Sequence, residues 1–105
     1  MRANYRRMLK GMQAKSKRVK KKKETWILYI LECWDGSFYT GITKDIQRRL
    51  NEHNRGRASR YTRARLPVRL LYQETCRGHA AALVRECKVK ALSRKAKEEL
   101  VGTRS

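Results

Sequence analysis

Five side chains scattered along this sequence have the types that phosphoryl chemistry uses: Tyr29, Tyr39, Arg49, His53 and Glu86. Hydrolysis of a phosphodiester needs an activated water, neutralisation of the charge on the phosphoryl oxygens and a stabilised leaving alkoxide. A hard cation held by one carboxylate and several waters meets two of these needs, and Glu86 is the best candidate ligand for it. The planar fork of Arg49 suits a non-bridging phosphate oxygen. A tyrosine beside a cation and an arginine is expected to have its pKa lowered from about 10, so that it can pass on a proton from water. Tyr29 is the candidate base or water-positioning group, with Tyr39 as its partner, and His53 shares the proton or holds the phosphate. Each residue also has an ordinary use: tyrosines pack strands, a histidine at a helix end favours the dipole there, and Glu86–Lys90 is an i,i+4 pair worth about 0.3 kcal/mol. The joint occurrence carries the signal.

The elements that would position them follow from pattern. Trp26–Leu31 reads as a buried strand and Ser37–Ile42 as a second, joined at Asp35–Gly36, a strong hairpin signal. A two-residue turn there would set Tyr29 opposite Ile42 and Tyr39 opposite Glu32. Making the phenols direct neighbours would need a longer loop or a bulge between Glu32 and Gly36. Thr43 or Asp45 caps a helix to about Asn54, with Ile46 and Leu50 one turn apart on its buried side and Arg49 and His53 sharing a face. A basic loop over residues 55–66 carries Arg55, Arg57, Arg60, Tyr61, Arg63 and Arg65 and ends at Pro67. Val68, Leu70 and Tyr72 alternate as a third strand. A second helix from Gly78 to Leu92 has Ala80, Leu83, Val84, Cys87 and Ala91 on one stripe, with Glu86 beside it. Ser93 caps a last short helix holding Ala96 and Leu100. The order ββαβαα predicts an α+β fold, a small three-stranded sheet flanked by helices.

The chain has 105 residues, which fits one domain, and 28 Lys+Arg against 9 Asp+Glu, a formal charge of +19. Residues 1–24 hold 11 basic residues and one acid, and residues 25–105 hold 17 and 8, so leader and domain are each basic. Such a field points to nucleic acid. The Lys15–Lys23 run has one apolar residue, Val19, and so no face to insert into a membrane. The longest apolar run, Trp26–Leu31, is far short of the roughly 20 residues that cross a bilayer. The N-terminus lacks the apolar core of a secretory signal. Cys33, Cys76 and Cys87 make an odd set without a CxxC pair, read as reduced thiols and neither a disulfide framework nor a zinc site.

Leu28-Tyr29-Ile30, then Tyr39-Thr40-Gly41, then Asp45-Ile46-Gln47-Arg48-Arg49-Leu50 with His53, and later Ala82-Leu83-Val84-Arg85-Glu86 with Lys90, resemble the GIY-YIG endonuclease superfamily. The Tyr39–Thr43 and Ala58–Arg63 segments are most similar to its small single-domain bacterial members. The likeness spans roughly residues 25–100. Leu28 stands where the name-giving motif has Gly, Thr40 where it has Ile, and Ile42 where several relatives carry lysine. The resemblance implies a three-stranded sheet flanked by helices and metal-dependent phosphodiester cleavage. Tyr29 and Tyr39 then match the motif tyrosines, Arg49 the helix arginine, His53 a position held by His or Tyr, and Glu86 the metal-binding glutamate.

The sequence is accordingly read as a basic, flexible leader (1–24), a nuclease domain (25–101) and a short tail (102–105). One Mg²⁺ or Mn²⁺ ion is expected on Glu86. The partner is nucleic acid, DNA before RNA, contacted by Arg48, Arg55, Arg57, Arg60, Tyr61, Arg63, Arg65 and Lys90 in a structure-guided or weakly sequence-specific way. The expected place is the cytoplasm, on the nucleoid in a bacterium, with no membrane partner. A catalytically silent nucleic-acid-binding module and a basic protein of a ribonucleoprotein particle are the alternatives. The sequence leaves the oligomeric state open.

Overall fold

A computed structural model describes residues 24–103; the leader, apart from Glu24, lies outside the described residues. Three antiparallel strands, β1 (Thr25–Glu32), β2 (Phe38–Thr43) and β3 (Arg69–Arg77), lie in the order β2-β1-β3. Helices α1 (Ile46–Asn54) and the single-turn α2 (Arg60–Arg63) separate β2 from β3; α3 (His79–Lys90) and α4 (Arg94–Gly102) follow β3. The expected α+β fold is therefore present, with α2 added inside the stretch read as an arginine-rich loop.

Strand β1 is central, and both of its faces are covered. Leu28 and Ile30 join Tyr72, Cys76, Ala82 and Val89 in one apolar cluster, against which Leu100 and Val101 of α4 pack. Tyr29, Leu31, Cys33 and Val68 form the second, with Ile46 and Leu50 of α1. Burial on both sides explains why β1 reads as an unbroken apolar run rather than an alternating one. Leu28, Ile30 and Leu31 are fully buried.

The hairpin connection differs from the two-residue expectation. Cys33 N donates to Ser37 O (2.8 Å) and Gly36 N to Cys33 O (2.8 Å), leaving Trp34, Asp35 and Gly36 as a three-residue loop. Gly36 sits at φ +85°, the left-handed position this loop type requires. Tyr29 consequently faces Gly41, and Tyr39 faces Leu31. Residues opposite one another share a face, so Tyr29 and Tyr39 lie diagonally on the same side of the sheet, toward α1. The two-residue register would have put them on opposite sides. Trp34 at the tip is 75% exposed.

Helix α1 is capped by Asp45, whose Oδ1 accepts from Arg48 N (3.1 Å), while Thr43 Oγ1 accepts from Asp45 N (3.1 Å). Its other end closes as a Schellman motif: Gly56, at φ +74°, donates to His53 O (2.9 Å) and Arg57 N to Glu52 O (2.9 Å). Asn54 then grips the start of β3, donating to Val68 O (3.1 Å) and accepting from Val68 N (2.8 Å). Ser59 caps α2 by accepting from Thr62 N (3.1 Å), and Trp34 N donates to Arg65 O (2.9 Å), tying that segment to the hairpin tip.

The expected apolar stripe of α3 is not the buried one. Ala82 and Val89 are fully buried, whereas Leu83 and Val84 are 45% and 56% exposed, and Ala80, Cys87 and Ala91 are also outside. The helix is turned because Arg85 reaches across to β3, its Nε 2.7 Å from Glu74 Oε2 and its Nη2 3.1 Å from Oε1. Glu86 thereby falls on the inner face between Ala82 and Val89. Ser93 caps α4 as expected, accepting from Ala96 N (3.1 Å).

Candidate active site

Tyr29 projects from β1 into the α1 side of the sheet and is almost wholly buried. Its hydroxyl lies 2.8 Å from His53 Nε2. Room for that hydroxyl exists because residue 41 lacks a side chain: a Cβ there would stand 2.6 Å from Tyr29 Oη and 2.7 Å from Cζ. His53, in the last turn of α1, is fully buried, and its Nδ1 lies 2.8 Å from Thr62 Oγ1. Thr62 is itself fully buried and bonded to Ser59, with Oγ1 2.9 Å from Ser59 Oγ. Tyr39 completes an aromatic cluster, its ring 5.1 Å from His53, 6.4 Å from Tyr29 and 6.1 Å from Tyr61, which stacks on it.

Arg49, one turn before His53, hydrogen-bonds to the Tyr29 phenol and donates from Nη1 to Glu52 Oε1 (3.0 Å). Burial opposes its charge, but these two bonds outweigh it and raise its pKa. Glu52 also accepts from Arg48 Nη1 (3.0 Å), and the Arg49 bond holds its carboxyl below the usual range. Glu86, whose side chain is 19% exposed, forms an ion pair with Lys90, Nζ to Oε2 3.3 Å. Its negative charge also bears on the Tyr29 phenol. Tyr29, Tyr39, Arg49 and His53 thus come together around one hydroxyl, while Glu86, on α3, acts on it through its charge alone.

The electrostatics reverse one expectation. Burial pushes Tyr29 up to about 12, and the Tyr39 and Glu86 charges add to that, outweighing the Arg49 bond. In the protein alone Tyr29 is a phenol, not a phenolate. Burial, helped by the Arg49 charge, drives His53 down to about 4, so its imidazole is neutral at pH 7. The pair is therefore a neutral phenol and a neutral imidazole.

The donor set suits a hard cation. Among the described residues no group of three or more His, Cys, Asp or Glu side chains forms a metal cluster. Both His53 nitrogens are already bonded. A single carboxylate at Glu86, with water completing the shell, fits Mg²⁺ or Mn²⁺ and not the three or four ligands of zinc.

A groove of about 250 Å³ opens beside Tyr39, lined by Phe38, Tyr39, Thr40, Tyr61, Lys90 and Lys97. Arg55, Arg57, Arg60 and Arg63 are exposed around α2. Arg48 and Arg65 instead engage their own chain. Arg48 pairs with Glu52, and Arg65 lies 3.9 Å over the Tyr61 ring with Nε 3.0 Å from Asp35 Oδ2. Glu52, Thr62 and Lys97 were not singled out from sequence. Ser59 three residues before Thr62 is an N-cap spacing that could have marked α2 and drawn attention to Thr62.

The GIY-YIG catalytic domain profile matches residues 25–99. A UPF0213 protein of Desulfotalea psychrophila is 51% identical over 77 residues, covering 72% of this chain and 70% of that one. The solution NMR structure of a protein from E. faecalis superposes with a TM-score of 0.54 at 38% identity, covering 80% of this chain and 90% of that one. A UPF0213 protein of Bacillus halodurans, also solved by NMR, gives 0.50 at 44% identity, over 75% and 84% of the two chains. With the motif residues gathered around Tyr29 and three quarters of the sequence matching, the chain belongs to the GIY-YIG catalytic domain family and has its nuclease fold.

Proposed function

We propose that this protein is a metal-dependent endonuclease that hydrolyses phosphodiester bonds in DNA, guided more by the shape of the substrate than by its sequence. The observation that supports this most is the buried 2.8 Å contact between the Tyr29 hydroxyl and a neutral His53, with Arg49 and Glu86 acting on the same phenol. Tyr29 Oη accepts a proton from the attacking water as its own proton passes to His53 Nε2, so the phenol never carries a full charge and its high pKa is no obstacle. Arg49 holds a non-bridging phosphoryl oxygen, at a site where its charge is firmly fixed. Glu86 would hold the divalent ion, which when bound supplies Lewis acidity toward the phosphoryl and leaving oxygens. The aromatic groove with Lys90 and Lys97 takes the strand next to the scissile bond, and the exposed arginines around α2 hold the backbone beyond it.

The test compares wild type and Glu86→Ala on nicked, flapped, branched and single-stranded DNA, with Mg²⁺, Mn²⁺ or EDTA. Cleavage is expected only with metal and only from wild type, Glu86→Ala losing about 10²-fold or more while binding is kept. Affinity should fall steeply between low and moderate salt, as phosphate contacts demand. Binding by wild type without cleavage of any substrate would instead favour a silent nucleic-acid-binding module.

A further inference from the structure

We propose that Thr62 is a positioning residue for His53: its hydroxyl fixes the imidazole as the Nδ1–H tautomer and leaves a bare Nε2 aimed at the Tyr29 phenol. The catalytic consequence rests on the nuclease reading above; the tautomer assignment does not.

His53 and Thr62 are both fully buried, so solvent takes no part in choosing where the imidazole proton sits. The choice falls to the two side chains it touches, Tyr29 Oη at 2.8 Å from Nε2 and Thr62 Oγ1 at 2.8 Å from Nδ1. Thr62 has one hydroxyl proton, and its neighbourhood directs that proton to Ser59. The Ser59 carbonyl, 3.4 Å from Oγ1, can only accept and takes that proton, while Ser59 Oγ, at 2.9 Å, can accept from Thr62 or donate to it. With its proton committed there, Thr62 offers His53 a lone pair, which Nδ1–H fills. Nε2 is then an acceptor, and Tyr29 is the donor that satisfies it.

The opposite tautomer would cost twice over. Thr62 would have to give up the Ser59 carbonyl and donate to Nδ1, with Ser59 Oγ then donating to Thr62. Nε2–H would then point at Tyr29 and block the transfer of its proton. In the Nδ1–H form the relay balances: a water proton goes to Tyr29 Oη and the Tyr29 proton to Nε2, leaving a hydroxide for phosphorus and an imidazolium. The same bond returns that proton through Tyr29 to water or to the departed alkoxide. The other groups facing His53 are Tyr39 from β2 and Arg49 and Glu52 from α1, and the ring nitrogens bond instead to Tyr29 and Thr62. Among the described residues Thr62 is therefore the group in place to set the tautomer from the Nδ1 side.

Nitrogen NMR of the labelled full chain reads the tautomer directly, and cleavage kinetics read its use. Wild type is expected to show His53 as a neutral imidazole protonated at Nδ1. Thr62→Ser should keep that pattern and stay within about threefold of the wild-type rate. Thr62→Val, which keeps the shape and removes the hydroxyl, should shift the proton toward Nε2 and lower kcat about tenfold or more, with KM within about twofold. A wild-type His53 protonated at Nε2 overturns the proposal outright, whether or not Thr62→Val folds. So does a Thr62→Val protein whose nitrogen pattern is unchanged. Because the nitrogen spectra need no substrate, an inactive wild type would count against the nuclease reading and leave the tautomer decided on its own.

Discussion

Acid should weaken this fold earlier than its carboxylates alone would dictate, and His53 supplies the reason. Its pKa is about 4 in the folded chain against 6.5 for the free side chain. The unfolded state therefore takes up the proton first as pH falls. The stabilising contribution is complete above about pH 6.5, shrinks by about 1.4 kcal/mol for each pH unit below that, and stops shrinking near pH 4. Between pH 7.5 and 5 the expected loss is about 2 kcal/mol. For a domain of this size that is roughly a 10 °C fall in Tm. Asp35 and Glu52, both held below the usual carboxylate range by their hydrogen bonds, lose their contributions as pH falls too. They do so below the unfolded carboxylate pKa, about 4, which leaves pH 5–6.5 to the histidine. The assay is urea unfolding of wild type and His53→Gln across this range. The variant will be less stable throughout, so the slopes are compared and not the midpoints. Parallel pH slopes in the two proteins would refute the reasoning.

Gly41→Ala places a methyl 2.6 Å from Tyr29 Oη, so the buried ring must shift and its bond to His53 must lengthen; a stability loss of about 1–3 kcal/mol and about a hundredfold loss of cleavage are expected from denaturant titration and a rate assay. Ile30→Ala, in the closed cluster under α3, should cost about 2–5 kcal/mol, whereas Val84→Ser on the outer side of the same helix should stay within about 0.5 kcal/mol. Equal losses for those two variants would mean that α3 buries the stripe its hydrophobic pattern suggests.

How much of this was legible beforehand can be judged from particular residues. Strand β1 announced itself because its two buried faces leave no polar residue in Trp26–Leu31. Ser93 was readable as a cap, and the first helix's cap was narrowed to Thr43 or Asp45, because a short acceptor before an apolar i,i+4 pair has few other uses; the structure makes it Asp45. The single turn α2 was hidden: four residues give no helical period, and the surrounding arginines look alike whether they line a coil or a turn. The inner side of α3 was misjudged for a tertiary reason. Apolar residues alone nominated Leu83 and Val84, but the pairing of Arg85 with Glu74 on another element decided which side faces the sheet. The five candidate residues were all nominated from type and family pattern, yet the electrical state of the central pair was not foreseen. A tyrosine next to an arginine looks activated on paper, and only its depth in the protein shows that desolvation wins.

The short loop at Trp34–Gly36 also limits how the gene can vary. Loss or gain of one codon there would preserve every apolar residue of both strands and still exchange odd for even positions along the second. Tyr39 would then emerge beneath α3, beside Leu28 and Ile30, and His53 would lose its aromatic neighbour. Insertions of any length are tolerable on an exposed loop whose ends need only meet; at this tip the length counter sits three residues from the second tyrosine.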